Sequence, residues 1–146
     1  MKKVTTHSLE ETQKLAADFL ASLPVDREEA TVVGLFGNLG AGKTTFTQAL
    51  ARELGITEDI TSPTFVIEKI YQTTHAKFAR LIHIDAYRLE NGKELQNLNF
   101  EAEVSNKNNL IVIEWPENVK EVLPEAMIKV QFEHKGGDVR EISFGV

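Results

Sequence analysis

Apolar positions recur with a helical period near the start of the chain. Between residues 9 and 23 they fall on one face of a helix, and the pattern stops at Pro24. Ser8 precedes this run and Glu11 follows three residues later, which is the spacing of a capping box at a helix N-terminus. We therefore predict an amphipathic helix over residues 9 to 23.

A strand, a glycine-containing loop and a second helix are predicted next. Thr31 to Phe36 is a short apolar run, rich in β-branched residues, that ends in glycine, which is typical of a strand buried on both faces. From Phe46 onward apolar residues return at helical spacing, and Gly55 is placed to end that helix.

The remaining apolar runs predict strands. Phe65 to Tyr71 and Ala79 to Ile84 are joined by a polar connector, and Leu110 to Ile113 is a continuous apolar run that suits a buried central strand. Met127 to Glu133 alternates apolar and polar residues, and a Gly-Gly turn leads to Val139 to Phe144. We predict an α/β fold with a mostly parallel central sheet, flanking helices and a C-terminal antiparallel hairpin at the sheet edge.

Composition narrows the class of protein. A chain of 146 residues with 42% hydrophobic content and no evident linker predicts a single domain spanning residues 1–146. The net charge of −6 argues against a general electrostatic surface for nucleic acid, although a local basic patch is compatible with that average. The absence of cysteine excludes disulfides, Cys-ligated zinc and thiol catalysis. Met1 to Val4 carries two lysines and runs into polar residues rather than an apolar stretch, and nowhere do 18 apolar residues follow one another, so we expect a cytoplasmic protein without a membrane partner.

The predicted loop carries a phosphate-binding pattern. Residues 37–45 read GNLGAGKTT and contain G-x-x-x-x-G-K-[ST], in which glycines let backbone N–H groups surround phosphates, Lys reaches the outer phosphates and the hydroxyl binds Mg²⁺. The strand before it and the helix after it supply the required context, because the helix N-terminus adds partial positive charge. We therefore predict a P-loop NTPase-like fold that binds ATP and Mg²⁺. The predicted ATP contacts are Asn38, Leu39, Gly40, Ala41, Gly42, Lys43, Thr44 and Thr45, beginning after Gly37.

Two acidic residues end predicted strands. Asp85 follows the run ending at Ile84, and Glu114 follows the run ending at Ile113, so both are expected at the carboxyl edge where open α/β sheets bind ligands. A P-loop enzyme uses such a group to hold the Mg²⁺ shell or the attacking water, although each acid could instead cap a helix or pair with a base. His83 alternates with Asp85, and it is either part of the same site or a structural histidine.

Two further features have open interpretations. Thr61 to Phe65 contains Thr64 and is either a plain turn around Pro63 or a switch loop that senses the γ-phosphate and Mg²⁺. Trp115, the single tryptophan, is either a core residue or a ring beside the nucleotide.

Four motifs follow one another along the chain, namely Gly37–Thr45 (GNLGAGKTT), Ser62–Phe65 (SPTF), His83–Leu89 (HIDAYRL) and Ile113–Glu117 (IEWPE). Their order and spacing resemble one family, the bacterial TsaE proteins (YjeE type), the ATPase component of the machinery that makes threonylcarbamoyladenosine in tRNA. The likeness covers nearly the whole chain. The chain departs from the usual family pattern at Asn38, where the family usually has Asp, and at Asn99, where it usually has Gly; Asn can also adopt a left-handed conformation.

The resemblance implies roles for individual residues and for partners. Lys43 would bind the phosphates and act in catalysis, Thr44 and Glu114 would hold Mg²⁺, and Asp85 would support hydrolysis. The resemblance also implies an ATPase that is weak alone and is activated by docking onto a heterodimer of the TsaB and TsaD proteins. The chain would then contact tRNA only through that complex. Thr12, Thr64 and Trp115 are further candidates for the nucleotide site.

Two other functions use the same phosphate loop. A small P-loop kinase is one, but after Arg88 the chain has only Arg140, so no arginine-rich lid is visible. A nucleotide-dependent binding module without hydrolysis is the other, and the presence of Thr44, Asp85 and Glu114 argues against it.

Overall fold

The computed structural model describes residues 2–38, 40–60 and 67–145, and within them seven strands form one sheet. The strands are β1 (Lys2–Thr6), β2 (Thr31–Phe36), β3 (Glu68–Gln72), β4 (Arg80–Asp85), β5 (Asn109–Glu114), β6 (Ile128–Gly136) and β7 (Val139–Gly145). The helices are α1 (Leu9–Ser22), α2 (Lys43–Glu53), α3 (Lys93–Asn97), α4 (Phe100–Val104) and a 3₁₀-helix (Pro116–Val122).

The sheet has a parallel centre and antiparallel flanks, in the order β1-β7-β6-β2-β5-β4-β3. β2 pairs in parallel with β5 and β6, and β5 pairs in parallel with β4, whereas β3, β7 and β1 join antiparallel. The predicted α/β fold and C-terminal hairpin are confirmed. The hairpin lies one strand inside the edge, because β1 pairs with the outer side of β7. The sequence did not reveal β1, whose residues Lys2–Thr6 are mostly exposed and show no apolar alternation.

Helices cover both faces of the sheet, as a doubly covered parallel centre requires. The helices α1 and α2 pack on one face through residues such as Phe19, Phe46 and Leu50. The other face is covered by α3, α4 and the 3₁₀-helix, which contribute Leu95, Phe100 and Val119. Since side chains alternate along a strand, Leu110 and Val112 of β5 join the first layer, and Ile111 and Ile113 join the second.

The predicted helix ends are largely confirmed. Ser8 Oγ accepts the N–H of Glu11 at 3.1 Å, but the Glu11 carboxylate accepts from the N–H of His7 at 3.3 Å, one residue before the position of an ideal capping box. Gly55 follows α2 with φ +81°, as expected for the residue that ends a helix. Asn99 precedes α4 at φ +66° and ψ +35°, the left-handed conformation expected from its place in the family pattern.

Two carboxyl groups meet between Glu68 of β3 and Glu103 of α4. Burial, a hydrogen bond with the Glu68 side chain and the Glu68 charge together raise the pKa of Glu103 to about 8, and Arg80 opposes the rise. At neutral pH the Glu103 carboxyl therefore keeps its proton and can donate it in a hydrogen bond to the Glu68 side chain.

No helix in the part of the chain that the structure describes is long and apolar enough to cross a membrane.

Candidate functional site

The loop between β2 and α2 is shaped by glycines. Gly37 has φ +143°, and a Cβ there would lie 2.7 Å from the carbonyl oxygen of Phe132, so no larger residue fits. Gly42 has φ +110° and directly precedes α2 without a side chain to cap it. The N–H groups in the first turn of α2 therefore receive no hydrogen bond from a side chain of Gly42, and they carry the partial positive charge of the helix. Such a helix N-terminus is suited to bind an anion such as phosphate.

Lys43 is the cation of this loop. Its side chain is buried, and Nζ donates a hydrogen bond to the carbonyl oxygen of Gly37 at 2.7 Å. The same ammonium lies 3.7 Å from the centroid of the Trp115 ring, within cation–π distance. Burial lowers the pKa of Lys43, and the carboxylates of Glu114, Glu117 and Asp85 oppose that effect.

The other predicted loop residues lie around the N-terminus of α2. Thr44 and Thr45 are half-buried in the first turn of α2, and Asn38 and Gly40 are exposed at the rim of the loop. The Ala41 N–H donates to the Asn38 carbonyl at 3.1 Å, which closes the loop on itself. Leu39 lies outside the described residues.

The two predicted acids lie side by side at the end of the sheet next to the loop. Asp85 and Glu114 are partners in the parallel register of β4 and β5, and Glu114 also pairs with Leu35 of β2, just before the loop. Glu114 is only 4% exposed. Asp85 Oδ1 accepts the N–H of Tyr87 at 3.0 Å, which holds its carboxylate against the turn that follows β4. The structure therefore brings together both acids and Lys43, as the sequence predicted.

His83 contacts the site carboxylate. Its Nε2 lies 2.7 Å from Glu114 Oε2, and both side chains are almost completely buried. Because the carboxylate accepts, Nε2 carries the hydrogen, and Nδ1 has no hydrogen-bond partner among the described residues. The structure thus joins His83 to a predicted site residue and also buries it as a structural histidine would be buried.

Trp115 packs against the core layer of α3, α4 and the 3₁₀-helix, and it also contacts Lys43 of the loop. It follows Glu114 at φ +58° and ψ +48°, a left-handed conformation that is strained for a bulky residue. This turn places the ring beneath Lys43 and 5.1 Å from the ring of Tyr87, between centroids. Backbone strain of this kind is concentrated at functional sites.

Thr12 lines a cavity beside the N-terminus of α2. The cavity has a volume of about 160 Å³ and is enclosed by the start of α1, the start of α2 and the β6–β7 hairpin. Thr12 is buried and its hydroxyl is hydrogen-bonded to Thr6 Oγ1 at 3.0 Å and to the Ser8 carbonyl at 3.3 Å. The lining residues are Ser8, Leu9, Thr12, Gly42, Thr45, Phe132, Asp138, Arg140 and Ile142.

Sequence reasoning missed the contribution of the hairpin to this cavity. Asp138 and Arg140 lie far from the loop in sequence, and a Cβ on Gly42 would approach the Arg140 Nε to 3.6 Å. No local motif signals this contact, because it depends on β6 pairing with β2. Thr64 and the rest of the proposed switch, Thr61 to Phe65, lie outside the described residues.

Comparison with known proteins agrees with the resemblance in the motifs. The family described as "Threonylcarbamoyl adenosine biosynthesis protein TsaE" matches residues 6–142. The tRNA threonylcarbamoyladenosine biosynthesis protein TsaE of Streptomyces coelicolor is 38% identical over 75% of this chain and 73% of its own length. The proteins of the same name from Bacillus subtilis (39%; 77% and 68%) and Rickettsia bellii (36%; 92% and 88%) are similarly related.

A solved structure shares the fold. The crystal structure of Bacillus subtilis YdiB superposes with a TM-score of 0.75 at 31% sequence identity, covering 98% of this chain and 83% of that chain. The motifs, the sequence relatives and the fold agree, and the chain belongs to the TsaE family of tRNA threonylcarbamoyladenosine biosynthesis proteins.

Proposed function

We propose that this chain binds ATP with Mg²⁺ at the loop between β2 and α2, and that it hydrolyses ATP as the ATPase of the tRNA threonylcarbamoyladenosine (t6A) machinery. One observation carries the proposal: Lys43 and the N-terminus of α2 face two carboxylates, Asp85 and Glu114, at the ends of adjoining parallel strands. A cationic cradle beside acidic strand ends is the arrangement that phosphoryl transfer in P-loop proteins uses.

The phosphates would lie against the first turn of α2. Its backbone N–H groups would donate to phosphate oxygens, and Lys43 Nζ would exchange the Gly37 carbonyl for them, since a phosphate is the stronger acceptor. The cavity beside Thr12 adjoins the same turn and would receive the adenosine part of the nucleotide. Arg140 and Asp138 of the hairpin would line it.

The donor set near the loop fits Mg²⁺, which prefers hard oxygen ligands. The hydroxyl of Thr44 and the carboxylate of Glu114 would hold the ion, and Mg²⁺ supplies positive charge to the phosphate oxygens during transfer. Asp85, at the end of the neighbouring strand, would orient the attacking water. Its half-buried carboxylate is fixed by the Tyr87 N–H, so it is positioned without being buried away from solvent.

We further propose that hydrolysis is slow until the chain docks onto a heterodimer of the TsaB and TsaD proteins. Support comes from family membership and from the open rim of the loop, where Asn38 and Gly40 are exposed. A partner surface that covers this rim would exclude water and complete the site. The net charge of −6 favours docking to protein over direct capture of tRNA.

The test measures phosphate release by the wild-type chain with Mg²⁺, alone and with the cognate heterodimer. We expect stimulation of at least about tenfold. Asp85→Asn should bind MgATP within a few fold of wild type and lose about 10²-fold in stimulated rate, or roughly 3 kcal/mol. Asp26→Asn is the matched control, because Asp26 is exposed and precedes the opposite end of β2.

Three results would count against the proposal. Equal rates with and without the heterodimer would remove the partner role. Normal stimulated hydrolysis by Asp85→Asn would remove the role of that carboxylate. Phosphate transfer to an added acceptor in place of water would identify a kinase.

A further inference from the structure

His83 is a completely buried polar side chain on a strand of aliphatic residues. Leu81, Ile82 and Ile84 surround it on β4, and all three are fully buried. His83 faces the same layer as Leu81, where α2 packs, and it lies two residues before Asp85. Burying an imidazole whose Nδ1 lacks a hydrogen-bond partner costs free energy, and burying an aliphatic side chain at the same position would not incur this cost. Packing alone therefore does not account for a histidine at this position.

The hydrogen bond from His83 to Glu114 is short and held by rigid elements. Its 2.7 Å length is at the strong end for an N–H donor and a carboxylate. His83 pairs in register with Val112, and Asp85 pairs with Glu114, so His83 and Glu114 are diagonal neighbours on two hydrogen-bonded parallel strands. Neither backbone can shift without breaking the central sheet.

The bond fixes one oxygen of a flexible side chain. Glu114 has three side-chain torsions, and its Oε2 is taken by the His83 Nε2–H, which leaves Oε1 for another ligand. Among the described residues only Glu114 bonds to the His83 ring, and this hydrogen bond favours the tautomer with the proton on Nε2. Hydrogen bonds of this kind orient carboxylates at metal sites.

We propose that His83 is a positioning residue that holds Glu114 Oε2 so that Oε1 is presented to Mg²⁺ beside the phosphate loop. This inference rests on the proposed function, in which Glu114 is a ligand of Mg²⁺. His83 does not itself touch the metal or the nucleotide, and its effect is confined to the metal-dependent part of nucleotide binding.

The experiment titrates Mg²⁺ into the full chain with a non-hydrolysable ATP analogue and measures binding by calorimetry, with a parallel series in EDTA. His83→Leu removes the donor at similar volume, and it should raise the Mg²⁺ concentration for half-maximal tightening by about 10- to 100-fold. The EDTA affinity should stay within about threefold, because the phosphate cradle is untouched.

Two further substitutions separate positioning from packing. His83→Gln should recover most of the Mg²⁺ response, since its amide nitrogen reaches about as far as the imidazole Nε2, whereas His83→Asn is too short and should not. This pair keeps the proposal testable if His83→Leu fails to fold. Ile82→Val is the control, because Ile82 is fully buried at the adjacent position but points to the opposite face of the sheet. It should lower stability without moving the Mg²⁺ requirement.

The outcomes are distinguishable. An unchanged Mg²⁺ requirement in folded His83→Leu, or equal responses of the Gln and Asn variants, would overturn the positioning role while the wild type still binds MgATP. A wild-type chain whose ATP binding does not respond to Mg²⁺ would overturn the proposed function itself.

Discussion

Replacing Lys43 by Ala tests the phosphate loop most directly. The ammonium is buried and bonded to the Gly37 carbonyl at 2.7 Å, and it lies 3.7 Å from the centre of the Trp115 ring. In our proposal it gives up these contacts for two phosphate oxygens. The net effect on ATP binding is the difference between the two sets of contacts.

The magnitude follows from ordinary values. Two charge-assisted hydrogen bonds to phosphate contribute about 2 kcal/mol each. Leaving the Gly37 carbonyl costs about 1 kcal/mol, and leaving the Trp115 ring costs about 0.5 to 1 kcal/mol. About 2 kcal/mol remains, so Lys43→Ala should weaken ATP binding about 30-fold.

The stability of the fold should change little. Ala removes the carbonyl and ring contacts, but it also removes a buried charge whose pKa is lowered by that burial. These effects oppose each other, and we expect the free energy of unfolding to stay within about 1 kcal/mol of wild type. The fold should therefore survive the loss of binding.

Calorimetric titration with a non-hydrolysable ATP analogue measures the affinity, and urea unfolding measures the stability. Lys107→Ala is the matched control, because Lys107 is exposed before the start of β5, at the opposite end of the sheet. Unchanged affinity in folded Lys43→Ala would refute the assignment of the phosphate loop. Equal losses in both variants would show a general charge effect instead.

Three other changes have expected outcomes. Glu114→Gln should raise the Mg²⁺ concentration needed for ATP binding by about tenfold, with little change in EDTA, as calorimetry can show; an unmoved requirement would exclude Glu114 as a ligand. Because the pKa of Glu103 is raised from 4.5 to about 8, the folded chain binds one more proton than the unfolded chain between these two pH values. Its contribution to the free energy of unfolding is therefore full below about pH 4.5 and is lost as pH rises toward 8, on the order of 1 to 2 kcal/mol after allowance for solvent screening. Urea unfolding at several pH values checks this, and Glu103→Gln should flatten the fall; an equally steep fall in that variant would contradict it. Gly37→Ala should destabilise the chain by about 1 to 3 kcal/mol, since its Cβ would lie 2.7 Å from the Phe132 carbonyl. Gly136→Ala shares a positive φ but meets nothing within 4 Å, so it should cost less; equal losses would mean that backbone conformation, not the clash, sets the effect.

The contacts of the phosphate loop suggest how its parts act together. The buried Lys43 ammonium lies over the Trp115 ring and near the charge of Glu114. Trp115 directly follows Glu114, the last residue of β5, in a strained left-handed turn. A phosphate that draws Lys43 away from the Trp115 ring would change the surroundings of Trp115. The Trp115 ring also contacts Tyr87, whose side chain is 52% exposed. The rings of Trp115 and Tyr87 thus connect the proposed nucleotide site to the protein surface.

The sequence by itself determined the features that depend on short-range order. The loop of residues 37–45 was predictable because its glycines, lysine and threonine are adjacent and because a strand and a helix flank them. Asp85 and Glu114 were predictable as neighbours, because each ends an apolar run and the carboxyl ends of parallel strands meet at one edge.

Only the tertiary structure decided the contacts that depend on strand order and register. The bond from His83 to Glu114 requires β4 beside β5 in one particular register, and the approach of Arg140 to Gly42 requires the hairpin to join β2. The left-handed turn at Trp115 has no signal in residue type, since such a conformation is unfavourable for a bulky side chain.

The same reason explains the elements that the sequence did not reveal. The helices α3 and α4 span five residues each, which is too few for a helical period to be recognised. They are stabilised because Leu95 and Phe100 are buried against the sheet. The strand β1 is mostly exposed and pairs only because β7 offers it a free edge. Local patterns specify the loop and the strand ends, whereas packing between distant segments specifies the partners that orient them.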